Sequence, residues 1–94
     1  MPQVTSLFAF SVKDLDAARA ARKVAHAGFS GTDGLLEWQT LETVSAAKGH
    51  LFLDLFRWRD DEAATAGNKL FSVHPDTQAH LAQVDEIKFA RAFQ

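Results

Sequence analysis

The chain of 94 residues contains no cysteine, which excludes disulfide bonds and thiolate chemistry and fits a reducing compartment. It has no apolar run of about 18 residues and no basic segment leading into an apolar stretch at its start, so no membrane span or secretion signal is expected. Acidic and basic residues are interspersed at a formal net charge of -2, without a basic patch for nucleic acid. These absences predict a soluble, cytoplasmic protein that does not bind nucleic acid or membranes.

The composition is that of a folded domain. Hydrophobic residues make up 47% of the chain and charged residues 23%, too apolar for a disordered segment. No internal repeat, low-complexity tract or linker divides the sequence. We therefore expect a single domain over residues 1–94.

Four stretches have the character of β-strands. The first runs from Val4 to Val12 without a charged residue, and the third runs from His50 to Trp58. The second, Leu35 to Val44, carries charges on both faces, and the fourth, Glu86 to Phe93, has a similar pattern. The connection 45–49 is short enough to make the second and third strands a hairpin. The first and third strands are therefore expected in the centre of a sheet, and the other two at its edges.

Two alanine-rich stretches are expected to be helices. Asp14 suits the N-cap of the first helix, and Gly28 suits its C-terminal stop. The acidic cluster 60–62 marks the start of the second helix, and Pro75 marks a restart that continues to about Val84. The order β-α-β-β-α-β predicts an α+β, ferredoxin-like fold with a four-stranded antiparallel sheet and two helices on one face.

The third strand is apolar on both faces. One face carries only leucines until Arg57, and the other carries aromatic rings with two polar side chains among them. The first set is Leu51, Leu53 and Leu55; the second is His50, Phe52, Asp54, Phe56 and Trp58. Such a strand must be covered on both sides, and the two helices cover only one. The sequence therefore predicts a homodimer, in which a second copy covers the other face.

The leucine face is the one we expect beneath the helices, because small side chains on the helices permit close approach. Its expected neighbours there are Leu15, Ala18, Ala25, Ala66 and Leu70. The aromatic face would then meet the partner subunit.

The second half of the chain supplies a family resemblance. The third strand ends in Trp58, the following helix opens with Ala63-Ala64-Thr65-Ala66, and a proline-marked extension precedes the last strand. The further residues of this pattern are Phe71, Pro75, Leu81 and Val84-Asp85. Together with the order of elements, they resemble the dimeric α+β barrel superfamily, and most closely its antibiotic-biosynthesis-monooxygenase-like proteins. The resemblance implies a ferredoxin-like subunit, a homodimeric barrel and action on small molecules.

No metal or other cofactor is expected. The four histidines, at positions 26, 50, 74 and 80, do not have the spacing of a zinc site. Haem-degrading members of the family use an asparagine on the first strand and a tryptophan and a histidine on the second helix. This first strand has no asparagine, and both tryptophans, Trp38 and Trp58, lie in predicted strands. The resemblance therefore carries over no haem-binding residue.

Asp54 is the strongest candidate for chemistry, because it lies between aromatic residues on a central strand. It is either a general base in an apolar pocket, acting on an acidic C–H or a phenol, or a structural ion pair or hydrogen bond at the dimer seam. His50 on the same face is a second catalytic candidate, or else a residue at the strand end. The aromatic candidates for a binding pocket are Phe8, Phe10, Trp38, Phe52, Phe56 and Trp58, which otherwise only fill the core.

The family resemblance and these residues together imply two functions. The first is a cofactor-independent monooxygenase or isomerase that acts on a small apolar, aromatic or polyketide-like compound. The alternative is a non-catalytic ligand-binding or interaction module of the same fold. An internal cavity that includes Asp54 would favour the enzyme, and a solidly packed interior would favour the module.

Overall fold

The computed structural model describes residues 2–44 and 49–94, so the predicted connection 45–49 lies almost wholly outside the described residues. Within these described residues, four strands and three helices follow one another in the predicted order, with a short 3-10 turn at Pro75–Thr77 before the last helix. Within the described ranges, no helix combines the length and apolar character needed to span a membrane. The elements are β1 Val4–Val12, α1 Leu15–Phe29, β2 Leu35–Glu42, β3 Phe52–Trp58, α2 Asp61–Val73, α3 Gln78–Gln83 and β4 Val84–Phe93.

The strands form an antiparallel sheet in the order β2-β3-β1-β4, which confirms the predicted central and edge positions. The register places Asp54 of β3 opposite Phe8 of β1 on one side and Thr40 of β2 on the other. Asp54 thus lies in the middle of the sheet, where both neighbouring strands hold its backbone rigidly.

The helices begin where the sequence predicts, but α1 does not end at the predicted residue. The Oδ1 atom of Asp14 accepts a hydrogen bond from the amide of Ala17 at 2.8 Å, as expected of an N-cap. Gly28 does not stop α1, which continues through Phe29. A Cβ atom at Gly28 would collide with the side chain of Asp76, so this glycine permits close packing of the 3-10 turn against α1.

The aromatic face of β3 lies beneath the helices, and the prediction that its leucine face does so is wrong. Phe52 and Trp58 are completely buried, and Phe29 of α1 packs edge-to-face against both Phe56 and Trp58. On α2, Gly67 leaves room for the Trp58 indole, with which a Cβ atom would collide. The aromatic face is the one that the helices cover because burying each large ring away from water stabilises the fold by about 2 kcal/mol. The helices also supply aromatic rings that pack against it.

The leucine face of β3 is instead the open side of the sheet, which nothing in the described part of the chain covers. The predicted helix neighbours behave accordingly: Ala18 and Ala25 are buried with the aromatic clusters, whereas Leu70 is 40% exposed. The register places seven apolar residues on the open face: Leu7, Ala9, Leu41, Leu53, Leu55, Phe89 and Phe93.

A register shift in β4 divides residues that simple alternation puts together. Ile87 pairs with Phe10 on the helix side of the sheet, whereas Phe89 pairs with Ala9 on the open side. Strict alternation would place Ile87 and Phe89 on one face, as the sequence of β4 suggests, but this is wrong because an extra residue in β4 interrupts its two-residue period.

Candidate functional site

A cavity of about 330 Å³ lies between the helix side of the sheet and the α2–α3 segment. Most of its wall is apolar, and four polar side chains reach it: Asp54, Asn68, Ser72 and His80. The apolar lining consists of Phe8, Phe10, Phe56, Phe71, Leu81, Val84 and Ile87. An apolar cavity with a few polar groups is the usual form of a small-molecule site.

Asp54 has two charged or polar partners, both inside its own subunit. The Nε2 atom of His80 lies 2.8 Å from Asp54 Oδ2, and the Nη2 atom of Arg22 donates to Asp54 Oδ1 at 3.0 Å. All three side chains are buried. The pair predicted as one alternative for Asp54 therefore exists, but it lies under the helices and not at a dimer seam. We call these three residues the Arg22–Asp54–His80 clamp.

Arg22 reaches Asp54 because it lies within the buried stripe of α1, between Ala18 and Ala25. Its Nη2 atom also donates to the carbonyl oxygens of Leu53 at 2.9 Å and Leu41 at 3.2 Å. The guanidinium carbon lies 4.2 Å from the centre of the Phe52 ring. The charge is thus balanced by a carboxylate, two carbonyls and an aromatic face, as a buried cation requires.

The local fold around the 3-10 turn positions His80. The Thr77 hydroxyl, which is completely buried, donates to the carbonyl oxygen of Phe71 and joins the turn to α2. The imidazole then packs edge-to-face against Phe10 and Phe71. These contacts leave the ring little freedom to rotate, so its orientation toward Asp54 is built into the fold.

The clamp determines which nitrogen of His80 is available. An ionised carboxylate only accepts hydrogen bonds, so Nε2 carries the hydrogen that faces Asp54. In the neutral ring, Nδ1 then carries the lone pair. No hydrogen bond to Nδ1 occurs among the residues that the structure describes, and His80 lines the cavity. The arrangement is that of a base oriented by a carboxylate.

The predicted site residues divide into three groups. Asp54, Phe8, Phe10 and Phe56 line the cavity. Trp38, Phe52 and Trp58 are buried in the surrounding core and are not part of the lining.

His50 lies elsewhere, two residues before the start of β3. Its Nε2 atom is 2.8 Å from Glu42 Oε1, and Arg19 donates to the same carboxylate. Hydrogen bonds from Arg19, and then from His50, lower the pKa of Glu42 to about 2. His50 thus belongs to an ionic group at the edge of the sheet and not to the cavity.

Arg22 and His80 were not identified as site residues from the sequence. Arg22 has a detectable signal, because it shares helical spacing with Ala18, Ala25 and Phe29. His80 shares such spacing with Thr77, three positions earlier. A charged or polar residue within an apolar stripe, facing a strand with a buried carboxylate, is the pattern that marks both. Within the described residues, no three His, Asp or Glu side chains are grouped so as to hold a metal ion.

Comparison with known proteins identifies the fold. No protein family and no curated protein matches the sequence. Among solved structures, SnoaB, a cofactor-independent oxygenase from Streptomyces nogalater, is similar at a TM-score of 0.74 and 16% identity, over 100% of this chain and 93% of that one. A DABB family protein with a ferredoxin-like fold from Mesorhizobium loti is similar at a TM-score of 0.75 and 17% identity, over 100% and 97%.

A third similar structure is a dimeric ferredoxin-like protein of unknown function from Jannaschia, with a TM-score of 0.69 and 13% identity over 99% of each chain. At these identities the similarity concerns the fold alone. The neighbours are ferredoxin-like proteins of the dimeric α+β barrel type, with antibiotic-biosynthesis-monooxygenase-like and DABB proteins among them. This confirms the predicted fold and the resemblance noted in the sequence.

Proposed function

We propose that the protein is an enzyme that removes a proton from a small aromatic compound, with His80 as the general base. The observation that carries this proposal is the buried hydrogen bond between His80 and Asp54 at the wall of an apolar cavity. In this arrangement Asp54 is a positioning residue, because its two oxygens are occupied by His80 and Arg22. This differs from the sequence-based hypothesis, in which Asp54 itself is the base.

The lining of the cavity favours a flat aromatic substrate. Phe8, Phe56 and Phe71 provide ring faces and edges against which another ring can pack. Asn68 and Ser72, one helical turn apart on α2, can hydrogen-bond a carbonyl or hydroxyl group of the same molecule. A compound with fused rings and one or two oxygen substituents, such as an aromatic polyketide, satisfies both features.

The reaction that we favour is oxygenation without a cofactor, as the similarity to SnoaB supports. His80 takes a proton from an acidic methylene group between aromatic rings, and the resulting anion passes electrons to dioxygen. One oxygen atom becomes the new carbonyl, and the other leaves as water with the two hydrogens of the methylene group. An isomerase would use the same first step and return the proton to another carbon of the substrate.

Anthrone tests the proposal, because it has a methylene group between two aromatic rings and is oxidised to anthraquinone. We expect the protein to consume dioxygen and anthrone in equal amounts, above the rate in buffer, with a metal chelator present. An oxygen electrode and the absorbance of anthraquinone measure both. If anthrone binds and quenches the tryptophan emission but is not oxidised, the cavity is a binding site and the non-catalytic module is the correct alternative.

We further propose that two copies of the chain form a homodimer through the open face of the sheet. The seven apolar residues of that face lack a cover in the described part of the chain, and Leu41 and Phe89 are 48% and 42% exposed. Arg57 and Glu37 form an ion pair at 3.3 Å on the same face, which provides a polar margin. Apolar centres with polar rims are typical of subunit interfaces.

Leu53→Asp should convert the dimer into a monomer, because the open face would then bury an unpaired carboxylate. Analytical ultracentrifugation at micromolar concentration measures the change. Val73→Asp is the matched control, since Val73 is 71% exposed near the end of α2 on the opposite side of the sheet, and it should leave the dimer intact. A parent protein that sediments as a monomer would contradict the dimer.

A further inference from the structure

We propose that the groove between α1 and β2 is a second binding site, and that it takes a phosphate group. The groove has a volume of about 790 Å³ and lies on the other side of Arg22 from the cavity. Its polar lining is formed by Arg19, Arg22, Lys23, His26, Thr40 and Glu42. Three cationic side chains and one carboxylate thus line the groove, and Asp54 pairs with Arg22 from the other side.

Two carboxylates offset two of the three cations, because Glu42 pairs with Arg19 and Asp54 pairs with Arg22. Glu42 is held by two nitrogens of Arg19, with the shortest distance 2.8 Å, and by His50. Lys23 makes no ion pair with any described residue, and it is one position from Arg22 on α1. The ammonium group of Lys23 therefore remains available to an anion that enters the groove.

Arg22 is the second and independent indication of a ligand. Only 6% of this residue is exposed, yet all of its hydrogen bonds to described residues come from Nη2. Its Nε atom is buried without a partner among those residues. A buried donor without an acceptor is costly, and a guanidinium group that lines a groove is suited to phosphate oxygens.

His26 completes the site on the side of β2. Its Nε2 atom is 3.0 Å from the carbonyl oxygen of Trp38, and its ring is stacked on the Trp38 indole with 5.1 Å between ring centres. The imidazole is therefore fixed at the wall of the groove. Binding of an anion beside it changes the surroundings of Trp38, so the tryptophan emission of the protein should change as well.

Arg22 belongs both to the groove and to the clamp, so the two sites are connected. A phosphate group that binds the guanidinium shares it with Asp54 and thereby alters the hydrogen bond between Asp54 and His80. The occupied groove should change the surroundings of the His80 ring without any ligand in the cavity. This consequence can be measured whether or not the protein oxidises anthrone.

Inorganic phosphate is the probe, titrated at constant ionic strength into the isotopically labelled protein. We expect saturable shifts of amide resonances along α1 and β2, together with a shift of the His80 ring resonances. Lys23→Gln should weaken phosphate binding about fivefold or more, because it removes one charged donor from a partly solvated site. Lys69→Gln changes the net charge equally from an exposed position on α2 and should not affect binding. Arg22 itself is left unchanged, because its loss would also disturb the clamp.

Three results would overturn the proposal. Chloride at the same ionic strength could produce the same shifts, which would show screening and not a site. The shifts could fail to saturate at high millimolar phosphate. Lys23→Gln could bind phosphate as tightly as the parent and Lys69→Gln proteins do. If phosphate binds but the His80 resonances do not move, the groove is a site and the connection through Arg22 is wrong.

Discussion

His80→Gln is expected to lower the turnover of anthrone about a hundredfold or more, because a positioned general base contributes about 10²–10⁴-fold to a proton transfer. Glutamine keeps an N–H donor that can reach Asp54, so the clamp retains its hydrogen bond. It has no nitrogen lone pair to replace Nδ1, so the proton of the substrate has no acceptor. The loss should therefore fall on kcat, with a smaller effect on KM.

His50→Gln is the matched control for this experiment. It makes the same chemical change at a histidine that pairs with Glu42 outside the cavity. This variant should keep the turnover of the parent within about twofold, as expected for a site away from substrate. Equal losses in the two variants, or full activity of His80→Gln, would remove His80 from the mechanism.

Asp54→Ala should lower the free energy of unfolding by about 3–5 kcal/mol, the usual cost of removing one partner from a buried ion pair. The side chains of Arg22 and Asp54 are only 7% and 3% exposed, so water cannot replace the lost carboxylate at the guanidinium group. His80 would lose its acceptor at the same time. Urea denaturation at a fixed protein concentration measures the change, since assembly would make stability depend on concentration.

The double variant Arg22→Met/Asp54→Ala distinguishes the ion pair from simple packing. Methionine retains an unbranched apolar stem and removes the charge. Adding Arg22→Met to Asp54→Ala should therefore restore part of the stability that Asp54→Ala alone loses. The interaction free energy in this cycle should be about 0.5–3 kcal/mol. A loss below about 1 kcal/mol for Asp54→Ala would mean that the clamp contributes little to stability, whatever it contributes to function.

The topology was predictable because each strand of the sheet has its own signature. An uncharged β1 and a doubly apolar β3 indicate the centre, and the charges along β2 and β4 indicate the edges. The face of β3 that the helices cover was not predictable in the same way. Alternation separates the leucines from the aromatic residues, but it does not say which set meets α1 and α2. Phe29 and Phe71 decide the question, and their contacts depend on the packing of the helices on the sheet.

Only those residues of the candidate site that lie on strands could be predicted from the sequence. Asp54 is conspicuous because it interrupts an aromatic strand face, and Phe8, Phe10 and Phe56 follow from the register. Its partners Arg22 and His80 are 32 and 26 residues away in the sequence, and their pairing with Asp54 depends on the tertiary fold. Arginine and histidine on helices are usually solvated, so the sequence alone favours the wrong environment for Arg22 and His80.

Strand β4 has a consequence for the protein at high concentration. It is ten residues long, its outer edge pairs with no described strand, and Ile87 and Phe93 are 61% and 49% exposed. Long apolar edge strands recruit other chains into aggregates unless charges interrupt them. Lys88, at the register shift and 3.0 Å from Glu86, places such charges within the apolar run of β4. The charges of this edge strand are thus expected to reduce edge-to-edge aggregation.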